Sequence, residues 1–214
     1  MLPPALAEGT NMRLKAMVMM MAATAASVWA AENVESRRKV TVCVRGSAGP
    51  HAKAAEVLAS RMFAEIDVHI DWRAANACAE FDNTLTVSFS DNTPAYQLPG
   101  ALAYALPYEG THIVVFYDRI KGQVDSSMVP RLLAHVLVHE ITHILQGIVR
   151  HSASGVMKAR FNDTDHFKMW GKGLGFTKED IDLIHIGLDW VKPSGWGPPR
   201  SHPGNRNDRI PTRK

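Results

Sequence analysis

The chain has 214 residues, of which 46% are hydrophobic and 21% charged, and its formal net charge is +3. Such a length and balance fit one globular domain with a sizeable core rather than two. A charge this close to neutral gives no reason to invoke nucleic acid as a partner.

Residues 1–30 read as an export signal. Arg13 and Lys15 form a short basic start, Ala16 to Ala26 an apolar run, and Val28-Trp29-Ala30 a small-x-small cleavage site before Ala31. The apolar run is too short to span a bilayer comfortably, so removal without stable membrane insertion is expected. A buried N-terminal helix is the alternative, and Met12 could be the start in place of Met1. The mature chain is then secreted or periplasmic. An oxidising compartment favours a disulfide between Cys43 and Cys78 over a pair of buried free thiols.

Valine at every second position of residues 39–45 predicts a first strand, and residues 46–50 a turn. Apolar residues recur at helical spacing from 51 to 66, and residues 68–73 form a second strand, so the opening is strand, helix, strand with a right-handed crossover. Residues 84–90 alternate cleanly as a third strand, ended by Asp91-Asn92-Thr93-Pro94. The runs 100–108 and 111–117, separated by a turn at Glu109-Gly110, read as neighbouring strands, with Pro107 keeping the first at a sheet edge. Such an edge can take up an extended peptide as an added strand, which makes Leu102, Ala103, Tyr104 and Ala105 candidate substrate-binding residues. An ordinary sheet edge is equally consistent with the pattern.

Ser126 or Ser127 is placed to cap the next helix, with Pro130 in its first turn. Leu132, Leu133, Val136, Leu137, Ile141, Ile144 and Leu145 cover most of its circumference, so the helix is buried, and Gly147 ends it. It carries His139, Glu140 and His143 in the order H-E-x-x-H. Two histidines four apart lie one turn above the other and can share one Zn²⁺, while Glu140 sits where it can take a proton from water at the metal's open position. A buried helix with three such groups must supply them with partners, and metal ligation does so.

A hydrolytic zinc site takes three protein ligands, and His151 is the candidate third. His135 lies on the same face, but it stands about 12 Å from His143 along the axis, whereas a zinc–nitrogen bond is about 2 Å. It reads as a supporting or packing residue. Asp163, Asp165 and His166 are further candidates for the third ligand.

The order Gly147, His151 and Met157 after the H-E-x-x-H helix resembles the metzincin superfamily of zinc metalloproteases, its archaemetzincin branch most in the near placement of the methionine. It is also similar to a group of uncharacterised exported bacterial proteins with H-E-x-x-H, glycine four after the second histidine, then H-S-x-x-G-x-M. Upstream, the runs from Gly100 and Gly110 are similar to the edge strand and following strand of matrix-type metzincins. The resemblance covers residues 39–190, most strongly at the helix. It implies an α/β (α+β), metzincin-like domain: a mixed twisted sheet with an antiparallel edge strand, packed on the active-site helix. It further implies one catalytic Zn²⁺ on His139, His143 and His151, Glu140 as general base, Met157 in a turn beneath the metal, and hydrolysis of peptide or protein substrates by a monomer. Metzincins usually place the glycine three and the third histidine six residues after the second histidine; here the intervals are four and eight. The last tyrosine is Tyr117, so no tyrosine follows the methionine.

Residues 161–175 read as a short helix and a glycine-rich turn. Thr177 and Asp180 open a last helix as a capping box, with Ile181, Leu183, Ile184, Ile186, Leu188 and Trp190 packing it on a single domain that spans 31–192. Residues 193–214, rich in Pro, Gly, Arg and Asn, read as a disordered basic tail. The functional alternatives to a secreted zinc metallopeptidase are a non-catalytic exported zinc-binding protein and a zinc hydrolase of a non-peptide amide.

Overall fold

Alternation of apolar side chains sets the sheet, and one helix buried on all sides sets what covers it. A computed structural model describes residues 38–46, 49–78, 84–105 and 111–190, with the side chain of Trp190 excepted. The segments expected to be an export signal and a basic tail, with Pro107 and the expected turn at Glu109-Gly110, lie outside the described residues. In chain order the elements are β1 (Lys39–Arg45), α1 (Gly49–Ala64), β2 (His69–Ala74), a 3-10 turn (Ala75–Ala77), β3 (Thr84–Ser90), β4 (Ala103–Ala105), β5 (His112–Phe116), α2 (Tyr117–Gln123), α3 (Val129–Gln146), α4 (Asp163–Trp170) and α5 (Lys178–Trp190). The strand order is β2-β1-β3-β5-β4. Strands β1, β3 and β5 run parallel, and β4 closes the edge antiparallel to β5. Among the described residues no helix is long and apolar enough to cross a membrane.

Val42, Leu85, Val87, Ile113 and Val115 are fully enclosed, as the centre of a parallel sheet requires. Helix α1 turns Ala52, Ala55, Ala59 and Phe63 inward; three small side chains let its backbone come close to α3. In α3 every residue from Leu132 to Gln146 is buried. Its entry differs from the sequence expectation. Neither Ser126 nor Ser127 caps it: the chain turns directly into the helix through Met128, and the Met128 and Val129 amides donate to Asp125 O at 2.8 and 3.2 Å. The backbone of that turn thus does the work of a capping side chain. Gly147 ends α3 as expected, in the left-handed conformation at φ 66°. The strand expected to reach Tyr117 stops at Phe116, and Tyr117 opens α2 instead. The first turn of α2 is fixed by Asp118, which accepts from the Thr93 amide and hydroxyl at 3.1 and 2.6 Å. Cys43 of β1 is disulfide-bonded to Cys78, with 6.2 Å between their Cα atoms.

Helix α5 begins with the expected Thr177/Asp180 box. Ile184 and Leu188 are buried and Ile181 packs partly, but Ile186 is 53% exposed because it lies on the opposite face from that pair. Where α5 crosses the end of α3, Gly187 lies so close that a Cβ there would stand 1.7 Å from Leu145 O. Replacement of Gly187 by Ala must push the helices apart and is expected to lower stability in denaturant unfolding by about 2 kcal/mol or more. Gly122→Ala on α2, whose Cβ would meet nothing within 4 Å, should change it by less than about 1 kcal/mol.

Candidate metal centre

The four-residue spacing on α3 stacks His139 and His143 so that their Nε2 atoms lie 3.0 Å apart. The other nitrogen of each ring is committed. Nδ1 of His139 donates to Val156 O at 2.9 Å, and Nδ1 of His143 to Ile148 O at 3.2 Å. A carbonyl only accepts, so each Nδ1 carries the hydrogen and each Nε2 of a neutral ring presents a bare lone pair. Burial, then the neighbouring imidazole, hold the pKa of His139 down to about 4, and burial alone is the main cause of the value of about 4 at His143. Both rings are therefore neutral at pH 7, and two lone pairs face each other at hydrogen-bond distance with no proton between them.

His151 comes in beside them from the loop after Gly147, its ring centroid 5.3 Å from that of His139 and 5.1 Å from that of His143. The three ligand nitrogens lie within 4.8 Å of one another, and among the described residues no other group of His, Cys, Asp and Glu gathers in this way. Zinc–nitrogen bonds of about 2.0 Å in a tetrahedron put ligand nitrogens about 3.3 Å apart, close to the 3.0 Å between His139 and His143. His139 and His143, with Nδ1 tied to carbonyls and Nε2 turned inward, fit a zinc ion with His151 beside them.

The remaining candidates are used elsewhere. His135 gives Nδ1 to Arg131 O at 2.7 Å and accepts the Leu174 amide on Nε2 at 3.0 Å, so it ties α3 to the segment before α5 as a packing residue. Asp165 pairs with Lys158 and completes a capping box with Asn162 at the start of α4. Asp163 and His166 belong to the same helix and not to the histidine group.

Met157 is fully buried in the turn that follows. Gly155 makes this turn possible: its φ is 77°, a Cβ would stand 2.5 Å from Gly175 O, and the Val156 amide donates to that same oxygen at 3.0 Å. The turn then aims Val156 O at His139. Glu140 is buried, and burial raises its pKa to about 8 against the pull of a hydrogen bond from the Ala105 backbone. A carboxyl so placed ionises fully only beside positive charge.

No family model matches the sequence, and no curated protein matches it. The solved structure of archaemetzincin from Methanopyrus kandleri aligns with a TM-score of 0.51, covering 71% of this chain and 95% of that chain at 16% sequence identity. The fold is similar to that of archaemetzincin.

A cleft of about 520 Å³ opens over the histidines between β4 and the segment 158–161. All of Leu102, Ala103, Tyr104 and Ala105 line it, but their backbones differ in use. Leu102 O accepts the Phe116 amide at 2.8 Å, so Leu102, and by alternation Tyr104, turn their main-chain groups toward β5. Ala103 and Ala105 turn theirs to the open side, where the Ala105 amide meets Glu140.

The sequence does not show that Arg150, Ser152 and Asp180 together anchor the segment around His151. The Asp180 carboxylate accepts Ser152 Oγ at 2.6 Å, Arg150 Nη1 at 2.9 Å, Thr177 Oγ1 at 2.6 Å and the Thr177 amide at 3.0 Å. The residues on either side of His151 are thus fastened to one buried group. The sequence shows only the helix-capping half of this, Thr177 with Asp180; nothing in it says that the same carboxylate reaches back across 28 residues to Ser152. Burial opposes the charge of Asp180, but the bonds from Ser152, Thr177 and Arg150 outweigh it and hold the pKa below the ordinary value. A depressed pKa contributes stability that is present above the unfolded value of about 4 and is lost as pH falls through the folded value. Asp180→Asn should therefore be less stable than wild type by about 1–3 kcal/mol at pH 7, and urea titrations should find the gap closing as pH drops below 4.

Proposed function

We propose that the protein is an exported zinc-dependent peptidase in which His139, His143 and His151 hold one Zn²⁺ and Glu140 is the general base. The observation that carries this reading is the facing pair of Nε2 lone pairs, 3.0 Å apart, with a third imidazole beside them. Likeness to the archaemetzincin fold supports it, and the Cys43–Cys78 disulfide supports export to an oxidising compartment. A zinc ion held by His139, His143 and His151 would supply positive charge to polarise a scissile carbonyl and acidify a water.

The chain's own groups supply the rest. The Glu140 carboxylate takes the proton of the attacking water as the new carbon–oxygen bond forms, and gives it to the leaving nitrogen as the carbon–nitrogen bond breaks. The Ala105 amide holds that carboxylate toward the cleft. Beside it, the outward main-chain groups of Ala103 offer an extended peptide the bonds of an added strand. This strand edge favours a peptide over a compact non-peptide amide. Gly147 and Gly155 shape the two turns that carry Ile148 O and Val156 O, and Met157 is buried in the second.

Glu140→Gln is expected to retain bound zinc while turnover of a peptide-library substrate falls by about 10²–10⁴-fold. Unchanged turnover would remove Glu140 from the mechanism. A wild-type chain that binds zinc and cleaves nothing in the library would favour the non-catalytic zinc-binding protein.

A further inference from the structure

We propose that Arg119 is a positioning residue for substrate binding, whose guanidinium clips the loop ahead of β4 and so holds the strand that borders the cleft. The inference rests on the peptidase reading of that cleft. Arg119 lies in the first turn of α2, with its guanidinium 5.3 Å from the centre of the Phe116 ring. From there Nη1 donates to Leu98 O at 2.7 Å and to Ala101 O at 2.8 Å, while Nη2 reaches toward Gln97 O at 3.5 Å. The preceding residue holds the other end of the same loop, since Asp118 accepts both donors of Thr93. One carboxylate takes the donors where the loop begins, and one guanidinium takes the acceptors where it ends.

Strand β4 needs such a clip. It has three residues and a partner on one side only, and a ladder that short is marginal by itself. The loop that Arg119 fastens runs directly into it, and Leu98, Ala101 and Leu102 already line the cleft. Leu98 does so with 76% of its surface exposed, so packing does not keep it there. Its carbonyl, which accepts Arg119 Nη1 at 2.7 Å and the Ala101 amide at 3.1 Å, does. If the guanidinium is lost, three carbonyls lose a charged donor, the loop gains freedom, and a substrate must order the edge before it can bind. Ordering on binding weakens affinity, while Ala105, bonded directly to Glu140, and the reacting groups on α3 stay as they were.

The test uses the full zinc-loaded chain with Arg119→Ala and Arg119→Lys. Amide hydrogen exchange should accelerate about tenfold or more across 97–104 in Arg119→Ala, with the Ala105 and α3 amides unchanged. KM for a peptide substrate should rise about tenfold with kcat within about twofold. Arg119→Lys, which keeps the charge and one donor direction, should recover part of both effects. Unchanged exchange at 97–104 would overturn the proposal, and so would exchange that rises equally in α3, or a fall in kcat with KM constant. If wild type cleaves no peptide, the exchange result still decides whether Arg119 holds the loop, while the peptidase reading fails separately.

Discussion

Two imidazole lone pairs aimed at each other across 3.0 Å form the contact on which the rest of the structure depends. Left alone they repel, and burial keeps either ring from taking up a proton to relieve it. Their orientation is imposed by Ile148 O and Val156 O, which fix both tautomers by holding the two Nδ1 hydrogens. Each of these carbonyls follows a left-handed glycine, Gly147 at φ 66° and Gly155 at φ 77°. Backbone conformation at two glycines thus sets the direction of two ring nitrogens, and those directions define a place for a cation.

The turns are in turn held by the C-terminal part of the chain. Gly175 O takes the Val156 amide, and Asp180 takes Arg150 and Ser152 on either side of His151. Helix α5 presses on the last turn of α3 through Gly187. A helix remote from the histidines in sequence therefore governs both where His151 stands and how α3 ends. On the opposite wall of the cleft, Asp118 and Arg119 perform a similar service for β4, and the Ala105 amide joins that wall to Glu140.

Strong local patterns made much of this legible. Alternating valines gave β1, the enclosing apolar residues gave α3, and Thr177 with Asp180 gave the start of α5, each because the signal and its structural cause lie within one or two turns of chain. The H-E-x-x-H spacing likewise puts two imidazoles together by helix geometry alone. What sequence could not carry is the return path to His151. The eight-residue interval from His143 is accommodated by Gly147 and then by bonds to Asp180, a partner set by how α5 docks on α3. Tyr117 read as the end of an apolar strand, yet its neighbour Asp118 starts a helix by bonding to Thr93, 25 residues earlier. The expected serine cap on α3 failed because Asp125 O satisfies the first amides through the backbone, which no side-chain pattern reveals.

The convergence of three histidine nitrogens on one zinc ion is open to direct measurement. Zinc-edge X-ray absorption of the purified chain tests it most directly. Three imidazole ligands with zinc–nitrogen distances of about 2.0 Å and one further oxygen ligand, with no sulfur, are expected, and one imidazole is lost in His151→Ala. A spectrum with sulfur ligands, or an imidazole count unaffected by that substitution, would contradict it.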